Sequence, residues 1–269
     1  MDLRGASSEA LAGLTERLDA ATKTQRAATT LGTELFTVSG LFRSEAGLRR
    51  FATDASLPAE AKQGMVEQVF SGRVSDPTRD LLSDAVGRRW TLSRDLPDVL
   101  ERLSEIAVVR SAGAKADQVT DELFSLSQII DGDPALRAAL SDPARTVDDK
   151  AGLLDSLLDG KALPATITLA KQALAGTYRT MTNALATYRE VAAETRGQAV
   201  ATVHVARPLP DADQRRLADI LSRQYDTTVH LNVLVDPEVL GGVRVEIGDQ
   251  VIDGTVSSRL DDARRTLVG

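Results

Sequence analysis

Residues 34–74 read ELFTVSGLFRSEAGLRRFATDASLPAEAKQGMVEQVFSGRV, and residues 122–162 read ELFSLSQIIDGDPALRAALSDPARTVDDKAGLLDSLLDGKA. Laid over one another at an offset of 88 (122 − 34), the two stretches need no gap. Glu34/Glu122, Leu35/Leu123, Phe36/Phe124, Leu48/Leu136, Arg49/Arg137, Asp54/Asp142, Lys62/Lys150, Gly64/Gly152 and Gly72/Gly160 are identical. Leu41/Ile129, Val69/Leu157 and Trp90/Tyr178 keep their character. Helical sequences match by chance at apolar positions; agreement at Gly, Lys and Asp in one frame marks a duplicated module. The repeat is longer than the roughly 34 to 47 residues of a tetratricopeptide or HEAT unit. Two tandem related helical bundles are therefore expected, and not a solenoid.

The flanking sequence reads as helix from residue 6 to about 196. Apolar residues recur every three or four positions at Leu11, Leu14 and Leu18 and again at Leu35, Val38 and Leu41. Asp133 before Pro134, and Asp76 before Pro77, read as N-caps with proline at the first helical position. TVDD at 146–149 resembles a capping box. Residues 95–113 have no proline after Pro97 and read as a long helix joining the two modules. At Arg196–Gly197 the texture changes. AVATVHVA (199–206) alternates and is β-branched, as a strand does. Residues 211–225 form an amphipathic helix capped at Asp211, and 227–236 and 241–247 are further strands. Gly248–Asp249 turns into QVID (250–253) as a hairpin, and 255–268 is a closing helix. The expected fold class is mainly α with a small α+β C-terminal domain. Its parts are a helical module at 5–94, a related bundle at 95–196 and a β-α-β-β-α domain at 198–269.

Composition agrees. The chain has 269 residues, enough for about two domains at roughly 150 residues each. Only 3% are aromatic, so the core must be built from Leu, Val, Ile and Ala, which suits packed helices. With 32 basic and 39 acidic side chains the formal net charge is −7, the opposite of the excess that nucleic acids or anionic membranes select. The absence of cysteine excludes disulfide frameworks, thiol catalysis and Cys-based zinc sites. Asp2 and Arg4 interrupt the N-terminus, so no signal peptide is expected there. The longest apolar runs, such as 162–170, fall far below the roughly 18 residues of a membrane span. Any membrane association is expected to run through a partner.

No catalytic, cofactor-binding or metal-binding constellation emerges. Gly241–Gly242 lacks the following Lys-Ser/Thr of a phosphate loop and leads into a strand, so it reads as a turn or bulge. His204 and His230, the only histidines, alternate within predicted strands and read as structural. DGD at 131–133 resembles the start of a calcium loop, but Pro134 and a helix follow where further oxygen ligands would be needed; helix capping is the reading. Lys62 and Lys150 are assigned to solvated helix faces and Trp90 to packing. In the closing helix, Arg259, Asp261, Asp262, Arg264 and Arg265 make a charged outer face. Val256, Leu260, Ala263 and Leu267 face the sheet or a partner helix.

The C-terminal residues carry one specific pattern. VDPEVLGGVRVEIGDQVIDGTVSSRLDDARRTL (235–267) resembles the closing segment of the delta subunit of F-type ATP synthases, the family of the mitochondrial oligomycin-sensitivity-conferring protein. The signature falls on Asp236, Leu240, Gly241, Gly242, Val243, Val245, Ile247, Gly248, Ile252, Asp253, Gly254, Thr255, Arg259 and Leu260. Residues 95–196 resemble the family's N-terminal bundle. Residues 5–94, beginning GASSEALAGL, resemble the N-terminal extension of actinobacterial delta subunits. The resemblance implies a non-catalytic stator part of the peripheral stalk, serving ATP synthesis and proton transport. Its bundles would hold N-terminal helices of the alpha subunits of the catalytic head. Its C-terminal domain would hold the ends of b-type stalk subunits, so that the head does not turn with the rotor. It also implies no cofactor and a peripheral place at the cytoplasmic face of the cell membrane. The alternative is a helical adaptor for an amphipathic helix of another partner; an enzyme using Asp253 or the histidines is the remotest reading.

Overall fold

The computed structural model describes residues 3–236, 239, 241–247 and 250–255. The chain divides into two compact units, Met1–Val191 and Ala192–Gly269.

The first unit is helical: α1 (Ala6–Ala21), α2 (Gln25–Ser44), α3 (Ala46–Thr53), α4 (Ala59–Phe70), α5 (Asp76–Gly87), α6 (Asp95–Ser111), α7 (Ala116–Gly132), α8 (Pro134–Ser141), α9 (Val147–Leu158) and α10 (Pro164–Gln172). α11 (Met181–Thr195) runs past its end. Shifted by 88, α3 and α4 fall on α8 and α9 residue for residue, and α5 begins where α10 begins. The repeat in the sequence is thus a repeat of helices.

Its hydrogen bonds repeat too. The Glu34 carboxylate, on α2, accepts from the Ser75 N–H (3.0 Å) and from the Ser75 and Thr78 hydroxyls at the start of α5. Glu122, on α7, accepts from the Leu163 N–H (2.9 Å) and the Thr166 hydroxyl at the start of α10. A carboxylate suits a helix N-terminus, where unpaired N–H groups and the helix dipole gather positive charge. This corrects the expectation that Asp76 caps its helix. Asp76 is the first residue of α5, and its neighbour's donor is met from a distant helix. Thr78 is fully buried, so Glu34→Ala strands a buried donor and is expected to cost about 2 kcal/mol. Glu34→Gln, which keeps an acceptor, is expected to cost less; thermal unfolding of both variants checks this.

Two other caps agree with the sequence. Asp133 Oδ1 accepts from Ala135 and Leu136 N–H (2.9 and 3.0 Å), and Thr146 and Asp149 form a full capping box.

The core of the first half joins Leu14 and Leu18 of α1, Leu35 and Phe42 of α2, Phe70 of α4 and Leu82 of α5. α6 is more than the expected connector. Leu96, Val99, Leu100 and Leu103 enter the same core. Its other flank buries Glu101, Ser104 and Glu105. α2 and α6 approach closely at Gly32, where a Cβ would lie 2.6 Å from Val108 Cγ2.

The second unit holds β1 (Gln198–Val205), α12 (Asp211–Tyr225), β2 (Thr228–Val235), β3 (Val243–Ile247) and β4 (Gln250–Asp253). The sheet order is β2-β1-β3-β4. β1 and β2 are parallel and linked through α12; β3 runs antiparallel to β1 and to β4. Ala201, Val203, Val205, Val229, Val245 and Ile247 pack with Leu221 of α12, the alternation that buries one sheet face. Asp211 does not cap α12 with its side chain; it is the first helical residue, after Pro210, and its charge favours the N-terminus. The closing helix expected at 255–268 lies, from residue 256 on, outside the described residues. The architecture is mainly α with a small mixed sheet, as the sequence led one to expect.

Candidate functional site

Among the described signature residues, Asp236 follows β2, Gly241 and Gly242 precede β3, Val243, Val245 and Ile247 lie in β3, and Ile252, Asp253 and Gly254 lie in and just past β4. The Asp236 N–H donates to Val205 O (2.8 Å) just past β2, tying the ends of the parallel pair. Gly242 enters β3 with φ +85°, and a Cβ there would lie 2.9 Å from Thr255 Cα and closer still to the Gly254 carbonyl. The Gly254 N–H donates to Val243 O (2.9 Å). The Gly-Gly step is therefore a close crossing of two backbones, in keeping with a turn and not a phosphate cradle. Val243, Val245 and Ile247 lie opposite Val205, Val203 and Ala201. Asp253 lies opposite Arg244 and accepts from the Thr255 N–H (2.9 Å). Hydrogen bonds from Thr255 hold its carboxyl below the usual carboxylate range. Ile252 and Val251, on the outer strand β4, are exposed. Leu240, Gly248, Arg259 and Leu260 lie outside the described residues.

The face opposite the apolar core is mixed, with Val200 across from His230 and Leu234 across from His204. Thr202 lies across from Asn232 and Glu246, and His204 across from Arg244. His204 Nδ1 is 3.5 Å from the Asp236 carboxylate and its Nε2 is 3.9 Å from Glu246. The Asn232 side chain is buried with neither amide atom hydrogen-bonded, an arrangement the alternating sequence gives no sign of.

In the helical unit, Trp90 packs against the core and its Nε1–H donates to Ala85 O (3.0 Å). Lys62 corrects its assignment: it is only 4% exposed, because its α4 position turns inward, whereas its counterpart Lys150 is half-buried. The sequence reading missed a buried polar row on α6. Glu101 accepts from the Thr177 N–H (3.0 Å) and pairs with Arg43. Glu105 accepts from the Tyr178 hydroxyl (2.9 Å). Burial raises the Glu105 carboxyl to about 7, against the opposing pull of Arg102.

Among the described residues no group of three or more acids or histidines is placed to hold a metal. No described helix is long and apolar enough to cross a membrane.

The family profile of the ATP synthase delta (OSCP) subunit matches residues 103–267, more than half of the chain. The chain belongs to that family. The profile takes in the second helical half and the whole sheet signature, and leaves out the first 102 residues. Individual relatives match those as well. The ATP synthase subunit delta of a Nocardioides species is 51% identical over 99% of this chain and 98% of its own. That of Streptomyces avermitilis is 41% identical over 99% of each, and that of Kineococcus radiotolerans 43% over 88% and 87%. A chain in a cryo-EM structure of the Toxoplasma gondii mitochondrial ATP synthase hexamer is similar over 61% of this chain and 95% of its own. Its identity is 20% and the TM-score 0.37. The long N-terminal region is thus a regular part of the actinobacterial form of the delta subunit.

Proposed function

We propose that this chain is a non-catalytic peripheral-stalk subunit of a proton-translocating F-type ATP synthase. Two tandem bundles, 5–94 and 95–196, bind the alpha subunits of the catalytic head through their N-terminal helices. The domain at 198–269, which carries the signature from Asp236 to Leu260, holds the b-type stalk. The chain lies at the cytoplasmic face of the cell membrane and reaches the membrane only through the complex. The observation that carries this reading is identity over nearly the full length of subunits so named.

The physical task is to keep hold of both partners under torque. Helix-in-groove contacts bury apolar area worth roughly 25 cal/mol per Å² before association costs. Several such contacts joined in one chain hold by avidity where a single one would slip. Such a role needs no reacting group.

A chain ending at residue 197 tests the division of labour. It is expected to bind the purified catalytic head with the affinity of the full chain and to lose binding to the stalk subunits, as read by calorimetry. Retained stalk binding would move that contact to the bundles. A folded full-length chain that ignores the head would favour the adaptor reading.

A further inference from the structure

The two helical halves close their last junctions differently. Residues 88–94 join α5 to α6, and residues 173–180 join α10 to α11. At the offset of 88, Gly176 falls on Arg88, Thr177 on Arg89 and Tyr178 on Trp90. The first junction rests on an arginine and on neutral donors. Arg88 lies over Gly13 of α1 and pairs with Asp84 (2.9 Å). Trp90 Nε1–H donates to Ala85 O (3.0 Å), and the Thr91 N–H to Ser7 Oγ (2.8 Å). In the second junction the sides are exchanged. The glycine, Gly176, is on the junction, and Glu101 of α6, the counterpart of Gly13, lies over it. Thr177 gives its N–H (3.0 Å) and its hydroxyl (2.6 Å) to Glu101. Glu105, the counterpart of Arg17, accepts from the Tyr178 hydroxyl (2.9 Å). This junction is therefore fastened to two carboxyls one helical turn apart, Glu101 at 1% exposed and Glu105 at 0%.

Two buried carboxylates so close are costly to keep charged together. Arg43 of α2 pairs with Glu101, whereas Glu105 has Arg102 at 3.4 Å. Asp95 and Asp98 stand further up α6, and burial raises Asp98. On the other sides are Tyr188 of α11, edge-on to Tyr178 (5.6 Å), and the neutral Gln172 of α10, bonded to Ser104 (3.0 Å). Burial, then Glu105, push the Tyr178 hydroxyl up, so it stays a donor; burial pushes Tyr188 up as well. Glu105, raised by burial to about 7, changes charge near neutrality. A cavity of about 740 Å³, with Leu92, Asp95, Asp98, Glu101, Thr177 and Tyr178 in its lining, brings solvent up to the junction.

We propose that Glu105 is a proton-operated latch on the α10–α11 junction. Protonated, it keeps residues 173–180 closed over α6; ionised, it lets them lift so that water reaches the charge. Burial penalises the charged form, so the open junction gains as pH rises. The first junction, with Gly13 and Arg17 in place of the two acids, has no such latch. The device goes beyond a stator role: it makes the hold of the bundle on the start of α11 tighter in acid than in base.

Amide hydrogen exchange on the full chain at pH 5 and pH 8, corrected for the intrinsic rate at each pH, tests the latch. Between the two conditions, protection of the Gly176 and Thr177 amides is expected to fall about tenfold or more beyond any fall at Arg88 and Thr91. In Glu105→Gln, which cannot ionise, the ratio of protection between the two junctions is expected to be the same at both pH values. Should that variant not fold, the two junctions of the parent chain still decide. Falls of equal size at both junctions would mean that the whole unit opens and would overturn the latch. So would a selective fall that persists in Glu105→Gln, or no fall at Gly176 and Thr177 in the parent.

Discussion

With Glu105 replaced by glutamine, the helical unit is expected to be more stable than the parent at pH 8 and equally stable at pH 4. Glu105 is fully buried on α6. The Tyr178 hydroxyl donates to one of its oxygens (2.9 Å), and Arg102 Nη1 stands 3.4 Å from the other. Desolvation outweighs both, with Glu101 adding like charge, and the carboxyl is raised from 4.5 to about 7. The unfolded chain therefore gives up this proton near pH 4.5, while the folded chain keeps it to about 7. Folding takes up a proton in that window. The stability this group contributes is present in full below pH 4.5 and is lost as pH rises through 7. At 1.36 kcal/mol per unit, the 2.5-unit difference (7 − 4.5) is worth about 3 kcal/mol. Glutamine keeps an acceptor for Tyr178 and cannot ionise, so the variant loses the slope. Denaturant unfolding at pH 4, 6 and 8, followed by Trp90, the only tryptophan and a residue of the helical unit, measures it. Parallel pH profiles for parent and variant would assign the slope to another group.

How much of this was legible beforehand follows from the range over which each signal acts. The repeat frame fixed α3 and α4 onto α8 and α9 because amphipathic period and local turn residues are written within a few positions. Asp133 and Thr146 were readable for the same reason: a cap and its helix are neighbours. Glu34 was not, since its donors lie 41 and 44 residues away, and nothing near Glu34 marks it as a cap. α6 misled in another way. Glu101, Ser104 and Glu105 interrupt its apolar stripe and look like a solvent face, yet a second layer of helices buries them. Periodicity reports which side of a helix is apolar; it does not report that both sides are covered. The signature in the sheet was legible as a pattern, and its cause, two backbones crossing at Gly242 and Gly254, needed coordinates.

That crossing sets the other large expected effect. Valine at Gly242 is expected to destabilise the sheet by about 3 kcal/mol or more. The position has φ +85°, where an L-residue costs roughly 1–2 kcal/mol and a β-branched one is a genuine outlier. A side chain there meets backbone as well, 2.9 Å from Thr255 Cα and nearer to the Gly254 carbonyl; overpacking of this kind typically costs about 1–3 kcal/mol more. Neither neighbour yields freely. The Gly254 N–H is bonded to Val243 O and the Thr255 N–H to Asp253, both at 2.9 Å, so relief means parting the ends of β3 and β4. Amide hydrogen exchange is the measurement, because it reads the sheet locally. Protection of β1 and β3 amides is expected to fall roughly a hundredfold, the factor that about 3 kcal/mol sets at 1.4 kcal/mol per decade. Gly242→Ala is expected to fall between parent and valine. Unchanged protection in both would mean that the glycine pair is not kept small by the crossing. The same variants bear on the proposed stalk contact. If the C-terminal domain holds the stalk as a folded sheet, stalk affinity should fall in the order glycine, alanine, valine.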